Sequence, residues 1–179
     1  MEQKIRLVIG YGNPGKRYVN ARNNVGCIVI DSAVQNAINI FPTATVRNWE
    51  IRSKYMILAI NLDPFTFVVK SRTFESKFDD TAVSLYRFYK LDPENFYIIL
   101  PDENISVGHY LVDKSSDSVP EAVTKIENQI SSKDFWKVRI GIGGTNEELN
   151  EIDQTKVKYL GKRLARELEL INLTSKKPR

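Results

Sequence analysis

The 179-residue sequence has one cysteine, Cys27, and one histidine, His109. A single thiol excludes an intramolecular disulfide framework, and one thiol with one imidazole cannot build a His/Cys zinc cage. No apolar run approaches the ~20 residues of a spanning helix. The opening Met1-Glu2-Gln3-Lys4 leads straight into a strand-like run with no secretory h-region. These absences predict a protein without a membrane partner in a reducing compartment, the cytoplasm or an organellar matrix after import. Core-forming residues are not lacking: 42% of the chain is hydrophobic and 27% charged, the balance of one globular domain spanning 1–179. There is no internal repeat and no interdomain linker.

Charge is unevenly placed. Twenty-six cations face 22 acids, for a formal +4. From Lys156 to Arg179 eight cations face only Glu167 and Glu169, so this segment carries +6 and the remainder of the chain −2. A basic terminal helix over about 153–171 is predicted. Lys158, Lys162, Arg163 and Arg166 are its candidate RNA-binding residues, because a field confined to one end steers a polyanion; a solvated helix face is the alternative reading. Residues 175–179 read as a flexible tail.

Hydrophobic periodicity supplies the rest. Ile5 to Ile9, closed by Gly10, reads as a buried strand. Val25, Ile28, Val29, Ala33, Ala37 and Ile38 recur at helical spacing to about Asn39, with Pro42 barring continuation. Val46–Lys54, Tyr55–Leu62 and Phe65–Lys70 read as a strand meander, and Val83 to Tyr89 as a second helix. Phe96–Leu100 reads as a central strand with Asp102 and Glu103 beyond its end, and His109–Val112 as a weaker strand. Ser118 followed by Glu121 suggests a capped helix with Pro120 in its first turn; Trp136–Ile142 reads as the last strand. A final helix stripes Val157, Leu160, Leu164, Leu168 and Ile171 on one side. Strands alternating with helices predict an α/β fold, a three-layer α/β/α sandwich with a mixed twisted sheet. Function then gathers beyond the carboxyl ends of its strands, which puts the loop after Ile9 and the acids after Leu100 on one edge.

That first loop, Gly10-Tyr11-Gly12-Asn13-Pro14-Gly15, formally matches a dinucleotide fingerprint. The polar stretch Lys16–Asn24 separates it from the following helix, whose amides would have to face a pyrophosphate, and Asp31 falls inside the helical pattern. A more specific pattern emerges further along: Gly12-Asn13-Pro14-Gly15, Tyr18, Ala21-Arg22-Asn23-Asn24-Val25-Gly26 and Asp31; then Lys70-Ser71-Arg72-Thr73-Phe74; then Arg87 to Lys90, Pro93-Glu94, Asp102-Glu103 and Phe135 to Gly143. In order and spacing this resembles the bacterial-type peptidyl-tRNA hydrolases over roughly residues 5–144.

The resemblance implies hydrolysis of the ester joining a peptide to the terminal ribose of tRNA, without a metal. A histidine activates water, an aspartate holds that histidine, and asparagine side chains orient the peptide and the developing oxyanion. Asn13 and Asp102 stand at matching positions, and Tyr18 and Arg22 are candidate contacts to RNA or peptide. Where the family reads Arg-His-Asn, this chain has Asn23, whose amide cannot accept a proton from water near neutrality. Where the family has Met-Asn after Thr-Phe, this chain has Glu75-Ser76. A gap-free count back from Phe135 puts Glu121 at the asparagine of the family's His-Asn-Gly loop. Asn23 and Asp102 are thus the catalytic positions, and Asn13, Tyr18, Ser76 and Glu121 the substrate-binding ones.

These residues support three functional expectations. The first is a family member whose ester hydrolysis is lost or greatly weakened and whose cleft binds tRNA, another RNA or a protein. The second is a hydrolase rearranged around Asp102, Glu103 or Glu121. The third is a subunit of a ribosomal or RNA-processing assembly that uses the basic last helix. His109 is expected on a solvent-facing strand position.

Overall fold

A computed structural model describes residues 4–40, 50–52, 57–63, 65–144 and 148–174, with 37–40, 58–63 and 167–174 described by backbone alone. The strands are β1 Arg6–Gly10, β2 Glu50–Arg52, β3 Ile57–Asp63, β4 Thr66–Ser71, β5 Phe96–Asp102, β6 Tyr110–Asp113 and β7 Trp136–Gly141. The helices are α1 Val25–Ile40, α2 Phe78–Phe88, α3 Glu121–Ile130 and α4 Glu151–Thr174. All seven strands form one sheet in the order β2-β3-β4-β1-β5-β7-β6. β1 lies parallel between β4 and β5, and β7 continues parallel on β5, whereas β2, β3 and β6 pair antiparallel. The mixed sheet is as the sequence predicts.

Alternation along the central strands sorts the core into two halves. Leu7 and Ile9 of β1 join Phe96, Ile98 and Leu100 of β5 under α2 and α3, with Phe78, Leu85, Val123, Ile126 and Phe135. Val8, Tyr97 and Ile99 point to the other face, against α1 and α4, with Val25, Val29, Ile30, Val157, Leu160 and Leu164. Both faces of β1 and β5 are therefore covered, which is why these segments read as continuous apolar runs. This is the three-layer α/β/α sandwich.

Two close approaches set the geometry around the first loop. A Cβ at Gly26 would stand 2.5 Å from the Tyr11 carbonyl oxygen and 2.7 Å from its nitrogen, so only glycine lets α1 begin against that loop. On the outer layer, Ser32 Oγ donates to the Lys158 carbonyl at 2.6 Å, and Gly161 faces the Val29 carbonyl, so α1 and α4 pack with little side chain between them.

Differences from the sequence reading are local. Ser118 does not cap α3: it sits at φ 55°, the helix begins at Glu121, and Pro120 occupies the cap position in an extended conformation with no side-chain cap. Pro120 disfavours helical backbone at Val119 before it, which holds the chain extended up to the helix start. β5 continues through Pro101 to Asp102, and β6 begins at Tyr110, just after His109. The expected meander is present as β2, β3 and β4, while residues 46–49 and 53–56 of its predicted strands, Pro42, and the predicted tail 175–179 lie outside the described residues. So do the side chains of Leu168 and Ile171. Among the described residues no helix is long and apolar enough to cross a membrane.

Candidate active site

Three chain segments meet beyond the carboxyl ends of β1 and β4. The first is the loop after β1, tied to the sheet by Tyr11 N–H donating to the Ile99 carbonyl at 2.8 Å. The second runs from Gly15 through two short 3-10 turns, Lys16–Tyr18 and Arg22–Asn24, before α1 starts at Val25. These turns are the polar interruption that separates the Gly10–Gly15 loop from any helix N-terminus. The third is the β4–α2 connection, containing the 3-10 turn Glu75–Lys77. Hydroxyls brace that turn: Ser71 Oγ lies 2.6 Å from Thr73 Oγ1 and accepts the Thr73 N–H at 3.0 Å, and Thr81 Oγ1 donates to the Lys77 carbonyl at 3.2 Å.

At the junction, Asn13 and Glu75 grip each other. Asn13 Nδ2 donates to Glu75 Oε1 at 2.7 Å, and the Glu75 N–H donates to Asn13 Oδ1 at 3.0 Å. Asn13 is itself oriented by Asn24, a buried side chain whose Oδ1 accepts the Asn13 N–H at 2.5 Å. Asn23 Nδ2 donates to the same Glu75 Oε1 at 2.9 Å, and the Tyr11 hydroxyl donates to Oε2 at 3.2 Å. Burial, then the Glu75 charge and its hydrogen bond, hold the Tyr11 phenol far above its ordinary pKa, so it stays a proton donor. A carboxylate thus sits at the junction of the three segments, the candidate cleft, held by two amides and a phenol.

The structure therefore brings Asn13 and Asn23 together, through Glu75. At the rim, Tyr18 meets exposed Phe74 edge-on with ring centroids 6.1 Å apart, and Arg17 lies 5.0 Å over the Tyr18 ring. Ser76 is exposed beside Glu75. Arg22 is spent on structure: it donates to the Ile142 carbonyl and pairs with Asp153 at 3.3 Å.

Asp102 is not part of this network. It is 3% exposed and receives Arg139 through Nε at 2.8 Å and a terminal nitrogen at 2.6 Å, while its other oxygen accepts the Asn104 N–H at 2.8 Å. No hydrogen bond joins it to Asn23. Glu121 stands exposed at the first turn of α3, paired with Lys125 at 2.9 Å, and also makes no bond to Asn13, Asn23 or Glu75. Glu103 is exposed. His109 is exposed too, with its backbone bonded to Ser106 and Gly141 and no hydrogen bond from its imidazole to the cleft. Cys27 is buried beneath the loop and its thiol pKa is pushed up to about 12 by burial, which makes it an inert core residue.

Lys158, Lys162, Arg163 and Arg166 are all exposed on α4, opposite buried Val157, Leu160 and Leu164. Lys158 and Lys162 line a groove of about 570 Å³ against α1, together with Asn20, Asp31, Gln35 and Asn36. Arg163 lies over the Tyr110 ring at 5.4 Å.

Glu75 is the site residue that sequence reasoning passed over. Its signal was a charge where the resemblance expects a methionine, one place before the candidate Ser76.

The family model and the sequence relatives point to one family. The family model for peptidyl-tRNA hydrolase matches residues 7–174. The peptidyl-tRNA hydrolase of Aquifex aeolicus is 34% identical over 144 residues, covering 78% of this chain and 70% of that protein. That of Mycoplasmopsis agalactiae is 30% identical, covering 78% and 69%. Among solved structures, peptidyl-tRNA hydrolase from Acinetobacter baumannii superposes with a TM-score of 0.78 at 16% identity, over 95% of this chain and 89% of that one, a likeness of fold.

Proposed function

The chain belongs to the peptidyl-tRNA hydrolase family, and from that premise we propose that its cleft binds the acylated 3′ end of tRNA while ester hydrolysis is lost or greatly weakened. One observation carries this reading. At the position where the family's chemistry calls for a proton acceptor stands Asn23, an amide that donates to Glu75. An amide cannot take a proton from attacking water, and loss of a general base costs ~10²–10⁴ in rate. The Glu75 carboxylate adds to the loss. A fixed negative charge beside the reacting carbonyl opposes the oxyanion that must develop there. The aromatic rim of Tyr18 and Phe74 offers stacking surface to a terminal base, and the exposed cations of α4 offer phosphate contacts to the rest of an RNA.

The rearranged-hydrolase reading now rests on Glu75. Asp102 is committed to Arg139 and Glu121 to Lys125, so Glu75 is the acid beside Asn13 and Asn23. The test is to incubate purified protein with N-acylaminoacyl-tRNA and with uncharged tRNA, following binding and ester cleavage together. The expected outcome is tighter binding of the acylated form with cleavage at or near background. Robust cleavage that Glu75→Gln abolishes would instead make Glu75 the base.

A further inference from the structure

We propose that Glu75 makes the cleft a receptor for a primary ammonium group, so that it takes an unblocked aminoacyl ester, with its free α-ammonium, in preference to an N-acylated one. The proposal rests on the reading that the acylated tRNA end occupies this cleft, and adds which acyl group it selects.

The charge on Glu75 is uncompensated. Of the other shielded carboxylates, Asp102 has Arg139, Glu127 has Lys137 at 3.0 Å and Asp153 has Arg22, while Asp79, bonded to the neutral Gln129, lies in the first turn of α2, where the helix dipole offsets its charge. The Glu75 carboxylate, half-buried in the cleft, has only neutral partners, namely Asn13, Asn23 and Tyr11; among the described residues no lysine or arginine pairs with it. Neutral donors satisfy lone pairs without cancelling charge, so the site keeps a net attraction for a cation from outside.

The distribution of donors selects the shape of that cation. Oε1 already accepts two amide N–H groups, whereas Oε2 accepts the Tyr11 hydroxyl alone at 3.2 Å. A carboxylate offers about four lone-pair sites, so the free one lies on Oε2. The parallel two-oxygen form of an arginine pair is closed here by the amides on Oε1, whereas a compact ammonium is served by the single free site on Oε2. The carboxylate is also preorganised: Asn24 fixes Asn13, Asn13 fixes the Glu75 backbone and side chain, and the Ser71–Thr73–Thr81 hydroxyls fix the turn. An N-acylated substrate presents an uncharged amide there, which forfeits the charge-assisted bond and leaves the carboxylate facing a neutral group.

The experiment compares three tRNA probes by fluorescence anisotropy: uncharged, 3′-amide-linked alanyl with a free α-amine, and the same analogue N-acetylated. The amide linkage resists hydrolysis, so binding alone is read. Wild-type protein is expected to bind the free-amine form about tenfold more tightly than the acetylated form, the scale of one charge-assisted hydrogen bond. Glu75→Gln, which keeps the shape and removes the charge, is expected to bind both alike. Equal wild-type affinity for the two charged probes, or a preference that survives in Glu75→Gln, overturns the proposal while leaving acyl-end binding intact. If neither charged probe binds more tightly than uncharged tRNA, the cleft reading falls and the ammonium site with it. The wild-type comparison needs no variant to fold, and Glu75→Met provides a second neutral side chain.

Discussion

Asn23 and Glu75 act as a unit at the scale of the residue, which sets how the site responds to repair. Introducing Asn23→His alone would supply an imidazole but leave the Glu75 carboxylate beside the reacting carbonyl, where its charge opposes the developing oxyanion. Asn23→His is therefore expected to raise N-acylaminoacyl-tRNA hydrolysis by less than about tenfold, and Asn23→His combined with Glu75→Met by substantially more, as read by initial rates at neutral pH; a full recovery in the single variant would contradict this. Cys27 gives a separate check on the packing beneath the loop. Its thiol pKa is raised from 9.0 to about 12 by burial. The stability this contributes is complete below pH 9 and is lost as pH climbs from the unfolded value toward the folded one, because the unfolded thiol ionises first. Unfolding free energies from urea titrations between pH 8 and 10.5 should fall more steeply in the wild type than in Cys27→Ala, by up to about 1.4 kcal/mol per pH unit. At this scale the sequence reading put Asn23 where the resemblance expects a histidine, because it sits inside an otherwise matching motif. It did not show the Asn13–Glu75–Asn23 cluster, because that cluster depends on two loops from separate strands meeting in space.

Among the elements, the pairing of β7 with α3 conceals a charge that periodicity treats as an error. Lys137 of β7 is fully buried and Glu127 of α3 nearly so, 3.0 Å apart. Carbonyls of Lys114 and Lys133 take further ammonium protons, and Ser116 Oγ donates to Glu127 Oε1. Removing one member leaves the other buried without a counter-charge. Glu127→Ala is therefore expected to cost about 3–5 kcal/mol in denaturant unfolding, far more than Glu121→Ala at the exposed end of the same helix, whose pair with Lys125 is screened by solvent. Comparable losses in the two variants would refute the distinction. The central strands and α1 were legible because apolar runs and helical spacing repeat over many residues, each reinforcing the next. The start of α3 was not: one serine with a glutamate three residues on carries little information, and Pro120 settled the boundary instead.

Over the whole molecule, the exposed face of α4 concentrates positive charge on a chain that is otherwise slightly acidic. Removing the helix would expose the core under Leu160 and Leu164, so its charge must be tested by substitution. Changing Lys158, Lys162, Arg163 and Arg166 together to Ala is expected to weaken tRNA binding and flatten its dependence on log salt by about 0.7–0.9 for each phosphate no longer neutralised. An unchanged salt slope would assign the basic face to solvation. The chain belongs to the peptidyl-tRNA hydrolase family, and the proposed function is that its site holds the acylated end rather than cutting it. The most direct measurement is single-turnover cleavage of N-acetylaminoacyl-tRNA by the wild-type protein, run beside a family member that carries the histidine. The rate should lie ~10²-fold or more below that of the histidine-bearing enzyme; equal rates would contradict a cleft whose amide and carboxylate have displaced the base.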